Sequence, residues 1–326
     1  MPARDLAMSA TGMSGIKSIT FRESFSQAAA TAEVECTAHT LAVGSTSTVH
    51  LGISGDEADF ISSGIVKEIK IRRPSRDYLI TVYDPLVKAV DYFIASDDPL
   101  VPFMANNVSA ETLVQNLLSL AGLTAYASDA TGFTFGVPSP KPINLVSVWD
   151  AVESIARIVG FIVYADSAGT IQFRQRKPYI VGGDVSSFSF GVGDTGSITD
   201  IDYVQSDEKL RNRVVVYGAP GIAATASAAS GFLPAGFFKS ILISHELIDV
   251  QSQAQSAADL NLTMFNRLTE TVNLTVLGRT ATRARSIVVV VEPFTGLSAS
   301  TLWVVFATQH SINRQDGYRL SLTLTR

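Results

Sequence analysis

A chain of 326 residues, 46% apolar and only 17% charged, can bury a sizeable core and is long enough for two or three domains of about 100–200 residues each. Its charged share is below the roughly 25% of an ordinary globular protein, so part of the surface is expected to be covered by other subunits. The net charge of −5 argues against non-specific nucleic-acid binding, and the single cysteine, Cys36, excludes an internal disulfide or a cysteine-based metal cage.

The opening Met1–Ser14 is polar and lacks the basic start and apolar core of a signal peptide, so it is expected to be disordered. Short β-branched runs follow at Lys17–Arg22, Ala32–Ala38 and Thr48–Ile53, separated by small polar residues. In Gly64–Arg73 the residues Ile65, Ile69 and Ile71 share one face and Glu68, Lys70 and Arg72 the other, the period-two pattern of a half-buried strand. Tyr78–Tyr83 repeats that pattern with Ile80 and Val82. Strands at this spacing suggest a small barrel or sandwich. Asp84 and Pro85 then cap a short helix over Leu86–Phe93, and the acidic Asp97-Asp98-Pro99 reads as a boundary.

The middle of the chain carries an internal repeat. Ser109 caps a helix with Leu113, Leu117 and Leu120 that stops at Gly122, followed by Tyr126-Ala127 and Phe135. Ser147 caps a second helix with Val148, Val152, Ile155 and Val159 that stops at Gly160, followed by Tyr164-Ala165 and Phe173. Each unit reads as a helix followed by a hairpin. Beyond it, Arg213–Tyr217 is a buried-type strand, and Ala219–Gly236 a long uncharged loop. Ser252–Leu268 is a helix with Ser252 and Gln255 in a capping-box arrangement and Ala254, Ala258, Leu262 and Phe265 on one face. Alternation returns at Val272, Leu274 and Val276, and again at Leu320, Leu322 and Leu324 in the final Tyr318–Arg326. The longest apolar runs, such as Ile287–Val291, fall far short of the ~20 residues of a membrane helix, so a soluble chain made in a cytoplasm, with no membrane anchor, is expected.

Chemistry-bearing motifs are weak. Gly191-Val-Gly-Asp-Thr-Gly196 matches a dinucleotide string, but extended sequence (Ile198, Ile201, Val204) follows where a phosphate-binding helix must open. His245-Glu246 starts like a zinc-protease helix, yet Asp249 stands where the second histidine is required. His39, His50 and His310 are isolated, and the scattered carboxylates select no pair for glycoside hydrolysis. The basic run Lys67, Lys70, Arg72, Arg73 and Arg76 is interleaved with isoleucines rather than aromatics, which fits a solvated strand face or a charged contact with a partner better than a nucleic-acid site. No catalytic, cofactor or metal residues are assigned, and a non-enzymatic protein is expected.

The order of these segments resembles the baseplate hub family of phage tails, the late-control-protein-D-like hubs related to the hub of type VI secretion spikes. The residues that carry the resemblance are Leu41–Gly44 leading into Val49–Ile53, Leu79–Asp84 entering Pro85-Leu86, the paired segments Val108–Leu123 and Ser147–Phe173, Asn212 before Val214–Gly218, Ala254–Leu268 running into Glu270–Gly278, and His310 with Gly317–Leu324. It spans roughly residues 15–326; the Ala219–Gly236 loop has no match in it. The resemblance implies an α+β, mainly β fold: two β-barrel tube-like domains (15–95 and 191–326) flanking an α/β insert of two helix–hairpin repeats (96–190). It implies a homotrimeric adaptor in the virion baseplate, assembled in the host cytoplasm, between a sixfold tail tube protein and a threefold central spike protein, beside other baseplate proteins, with DNA passing through unbound. Ile65, Lys67, Ile69, Arg72, Arg73, Leu320, Leu322 and Leu324 are the expected subunit or partner contacts. The alternatives are the hub of a type VI or extracellular contractile injection system, and a carbohydrate-binding or hydrolytic tail-tip protein that would need an aromatic–carboxylate groove around Trp149 or Trp303.

Overall fold

The computed structural model describes residues 6–94, 103–176, 180, 183–191, 198–293, 295–298 and 300–326. The Asp97–Pro99 boundary and most of the Gly191–Gly196 string lie outside them. The first part of the chain is six strands: β1 (Leu6–Ala10), β2 (Met13–Ser24), β3 (Thr31–His39), β4 (Thr46–Ile53), β5 (Asp56–Ile71) and β6 (Tyr78–Tyr83). Helix α1 (Val87–Asp91) leads into the middle, where short strands surround two longer helices. In chain order these are β7 (Phe93–Ile94), β8 (Phe103–Ala105), β9 (Val108–Ser109), α2 (Ala110–Leu120), β10 (Tyr126–Ser128), β11 (Thr134–Phe135), β12 (Lys141–Ile143), β13 (Val146–Ser147), α3 (Val148–Val159), β14 (Phe161–Ala165) and β15 (Ile171–Gln175). The last part holds β16 (Phe188–Gly191), β17 (Ile198–Ser206), β18 (Arg213–Tyr217), β19 (Ala223–Ser227), β20 (Ser240–Ser244), α4 (Gln251–Phe265), β21 (Thr269–Leu277), β22 (Ile287–Val291), β23 (Leu302–Asn313) and β24 (Gly317–Thr325).

Twelve strands form one sheet, in the order β1-β4-β5-β6-β3-β2-β23-β24-β21-β17, with β22 and β16 branching from β23. Two separate barrels were expected; instead β2 pairs with β23 from Ser18↔Asn313 to Ser24↔Ala307, which fuses the two halves into a continuous ladder. Hydrogen bonding leaves the path open at β1 and β17. Alternation explains the layers, because one face of each strand is apolar. Ile19, Phe21, Val34, Ile80 and Val82 bury in one core, and Val272, Leu274, Trp303, Leu320, Leu322 and Leu324 in another. Gly278 lets the chain leave β21 beside this core: a Cβ there would fall 2.1 Å from the Tyr318 ring.

Several expectations are corrected. Leu6–Ala10 is no disordered leader but a strand, since its backbone pairs with β4 from Leu6↔Ile53 to Ala10↔Val49. The phase expected across Gly64–Arg73 breaks at a bulge between Val66 and Glu68. The extra residue reverses the phase across it, so Val66 and Ile69 share one core while Ile65 packs against the middle body, and Ile71, at the strand's end, is 67% exposed. The caps of the repeat are present: Ser109 and Ser147 accept from the Thr112 and Asp150 amides, and Gly160 takes a left-handed φ of 68°. Only the second unit continues as a hairpin, β14–β15. The first sends β10 parallel to β15 and folds β11 back onto β9.

The end of the chain also departs from expectation. Val214, Val216, Ala224, Ala226, Ala254, Ala257 and Ala258 join the core of the middle helices instead of a second barrel. The supposed Ala219–Gly236 loop contains β19, which pairs with β18, and β18 pairs on its other side with β20. Alanines on β19 and α4 let backbone approach backbone, so these elements stack closely. Helix α4 begins at Gln251 after Val250, without the expected Ser252 cap bond.

Candidate assembly site

On the face of the large sheet opposite its two cores, polar side chains run across β2, β3, β21, β23 and β24, while Ile65 and Tyr83 on β5 and β6 pack against the middle body. Cross-strand side chains meet in rows. Arg72 pairs with Glu35 at 3.7 Å, and Ser18 donates to Glu35 at 3.3 Å. Arg22 bonds Gln309 at 3.2 Å and Glu33 at 3.1 Å, Ser321 lies 3.3 Å from Thr275, and Thr323 donates to Asn273 at 3.0 Å. The sheet curves here: a hollow of about 550 Å³ runs from Arg22 and Gln27 on one side to Asp200 and Asp202 on the other. Hydroxyls, amides and paired charges offer water many partners without fixing a ligand.

Behind this face lies a buried junction. The segment 278–286 between β21 and β22 turns inward and carries Thr280, Thr282, Arg283 and Arg285. Arg283 Nε donates to Glu23 at 3.0 Å, and Arg285 pairs with the other oxygen of the same carboxylate. The Arg283 guanidinium also donates to the Phe60 carbonyl at 3.3 Å and stacks 4.8 Å from the Phe21 and Phe60 rings. Arg285 lies 3.8 Å from the centre of the Tyr164 ring, on the middle helical body. Thr280 donates to Asp56 at 2.7 Å, and His310 bonds the Tyr318 hydroxyl at 2.7 Å and the Thr282 carbonyl at 2.9 Å. Burial pulls Arg283 down to about 10 and Arg285 to about 9, so both stay cationic at neutral pH and Glu23 compensates them. Strands β2, β5, β14, β23 and β24 meet the 278–286 segment there.

A second buried carboxyl, Asp84, accepts from Ala30 N at 2.7 Å and Leu86 N at 2.9 Å, joining the β2–β3 turn to the start of α1. Burial raises it to about 7 against those hydrogen bonds, and pushes His310 down to about 3. The two act with opposite sign. A carboxyl protonated more readily when folded adds stability at low pH and loses it as pH rises from about 4 to about 7. A histidine kept neutral by folding loses stability as pH falls from about 6.5 towards 3. In Asp84→Asn the histidine effect remains and the Asp84 effect vanishes. The stability of the variant relative to the parent is expected to grow with pH across the 4–7 window, at up to ~1.4 kcal/mol per pH unit. Denaturant titrations at several pH values check this; a difference that stays flat contradicts it.

Against solved structures, the chain aligns over 98% of its length with 96% of a tail protein from Neisseria meningitidis MC58, at TM-score 0.70 and 14% identity. It has the fold of a phage tail protein. A 43 kDa tail protein of prophage MuSo2 from Shewanella oneidensis matches over 98% of this chain and 97% of that one, at TM-score 0.67 and 15% identity. A component of the E. coli type VI secretion system, with structural similarity to the T4 tail proteins gp27 and gp5, matches over 98% of this chain and 76% of that one, at TM-score 0.58 and 10% identity. No protein-family model and no curated protein matches the chain.

The expected contact residues scatter over this tail-protein fold. Leu320, Leu322 and Leu324 are at most 2% exposed, because β24 is an interior strand paired with β23 and β21; they hold this chain's own core and are not contacts. Ile65 and Ile69 are half-buried, packed against the cores, on a strand paired on both sides. Lys67 pairs with Asp91 at 2.5 Å, Arg72 joins the polar rows, and Arg73 is exposed in the turn after β5. Among the described residues the open sheet edges include β1, β14, β17, with Val204 47% exposed, and β20, with Leu242 63% exposed. Trp303 is buried and Trp149 packs against the middle core, so neither offers a sugar platform. Among the described residues no group of three histidine, cysteine or acidic side chains could hold a metal ion.

Proposed function

We propose that the chain is a structural, non-enzymatic hub of a phage tail: a homotrimer in the virion baseplate that joins the sixfold tail tube to the threefold central spike, with other baseplate proteins around it. The observation that carries this reading is the twelve-stranded sheet made of two six-stranded halves in one chain. Three copies supply six such halves, the number needed to continue a sixfold tube on a threefold spike. In the ring each half completes its tube-like barrel through its open edge, and edge strands such as β17 need a partner. The polar sheet face lines the conduit, where its hydroxyls and carboxylates let DNA slide through without a specific site. The likeness in fold to tail proteins over nearly their whole length supports the same role. A second reading, the hub of a type VI or extracellular injection machine, is favoured by the E. coli secretion component; capsid genes beside this one would decide for the phage.

Light scattering on the purified protein tests the assembly. Three times the 34.8 kDa chain mass is expected, alone or with tube protein added. A chain that stays monomeric at micromolar concentration with either partner present overturns the reading.

A further inference from the structure

A cleft of about 680 Å³ separates the two small sheets of the middle body. One wall is Ile241, Leu242, Ile243 and Ser244. Four consecutive residues of a strand can line one space only if it runs along the strand's edge, because alternate side chains point to opposite faces. Among the described residues that edge is free, since β20 pairs with β18 alone. The opposite wall begins at Phe161 in β14, which is also the last strand of its sheet. The volume is within the roughly 300–1,000 Å³ of ligand clefts.

The charge in the cleft is unbalanced. Its one carboxylate, Glu153, is already bound to Arg157 at 2.8 Å. Among the described residues Arg176 Nε is buried without an acceptor, and burial together with nearby Arg157 weakens its hold on its proton. A guanidinium held this way is satisfied by a planar carboxylate. An unpaired strand edge is satisfied by an added strand.

We propose that the cleft between β20 and β14 receives an extended segment of a partner protein, with apolar residues in alternation and one Asp or Glu, which pairs its backbone with β20 and sets its carboxylate against Arg176. This does not rest on the adaptor role. The test uses the full chain and a panel of hexapeptides alternating Val or Ile with Thr, each with Asp, Asn or Lys at the centre. Amide exchange of residues 240–244 is expected to slow at least tenfold with the Asp peptides, which bind at least tenfold more tightly than the Asn ones. Arg176→Gln should erase that preference while Arg176→Lys keeps part of it; unchanged melting curves show that both variants fold. The proposal is overturned if no Asp peptide slows exchange at 240–244, or if binding ignores the peptide's charge. It is equally overturned if 240–244 are already protected without peptide in a concentration-dependent way, which makes the occupant a second copy.

Discussion

A chain shortened by Tyr318–Arg326 is expected to lose cooperative folding altogether. The deleted residues form a strand hydrogen-bonded on both sides, to β23 along one edge and β21 along the other. Its leucines at 320, 322 and 324 are among the most buried in the second core, and burying three such side chains is worth roughly 5–9 kcal/mol. That equals much of a whole domain's net stability of about 5–15 kcal/mol. The loss also removes Tyr318, the hydroxyl partner of buried His310. Far-UV circular dichroism with a urea titration reads the result. A truncated chain with a parental midpoint would show that β24 is dispensable.

The second large effect is expected at the buried junction. In Glu23→Gln the carboxylate that holds Arg283 and Arg285 becomes neutral, leaving two guanidiniums buried without a counter-charge. Breaking a buried ion pair from one side costs about 3–5 kcal/mol. The midpoint of urea unfolding should fall by the corresponding amount with little change in slope. Replacing the triad together, as Glu23→Leu with Arg283→Met and Arg285→Met, should recover much of the loss, because the penalty lies in the uncompensated charge. Full stability in Glu23→Gln would mean that the arginines find other acceptors and that the junction does not depend on this carboxylate.

Legibility followed how local each feature is. Tyr78–Tyr83 is read from alternation alone, and both Ser–helix–Gly units carry their caps in the sequence; these features are settled within a few residues. What failed depends on distant partners. The bulge at Lys67 leaves no mark in composition, yet it sends Ile65 and Ile69, expected on one face, to different cores. Strand β19 is built of alanine, serine and threonine, and without its partners β18 and α4 such a segment reads as loop. The three leucines of β24 are correctly read as one apolar face, but whether that face meets its own core or a neighbour is not a property of the strand. Arg283 and Arg285 lie between two strands, and their acceptor Glu23 is 260 residues away from Arg283, so no local pattern connects them.

The most direct measurement is an electron-microscopy reconstruction of the purified assembly. A three-fold ring of six sheet halves is expected, with Arg22, Gln309, Ser321 and Asn273 facing a central channel. A ring whose channel is lined by another surface, or a particle without three-fold symmetry, would contradict it.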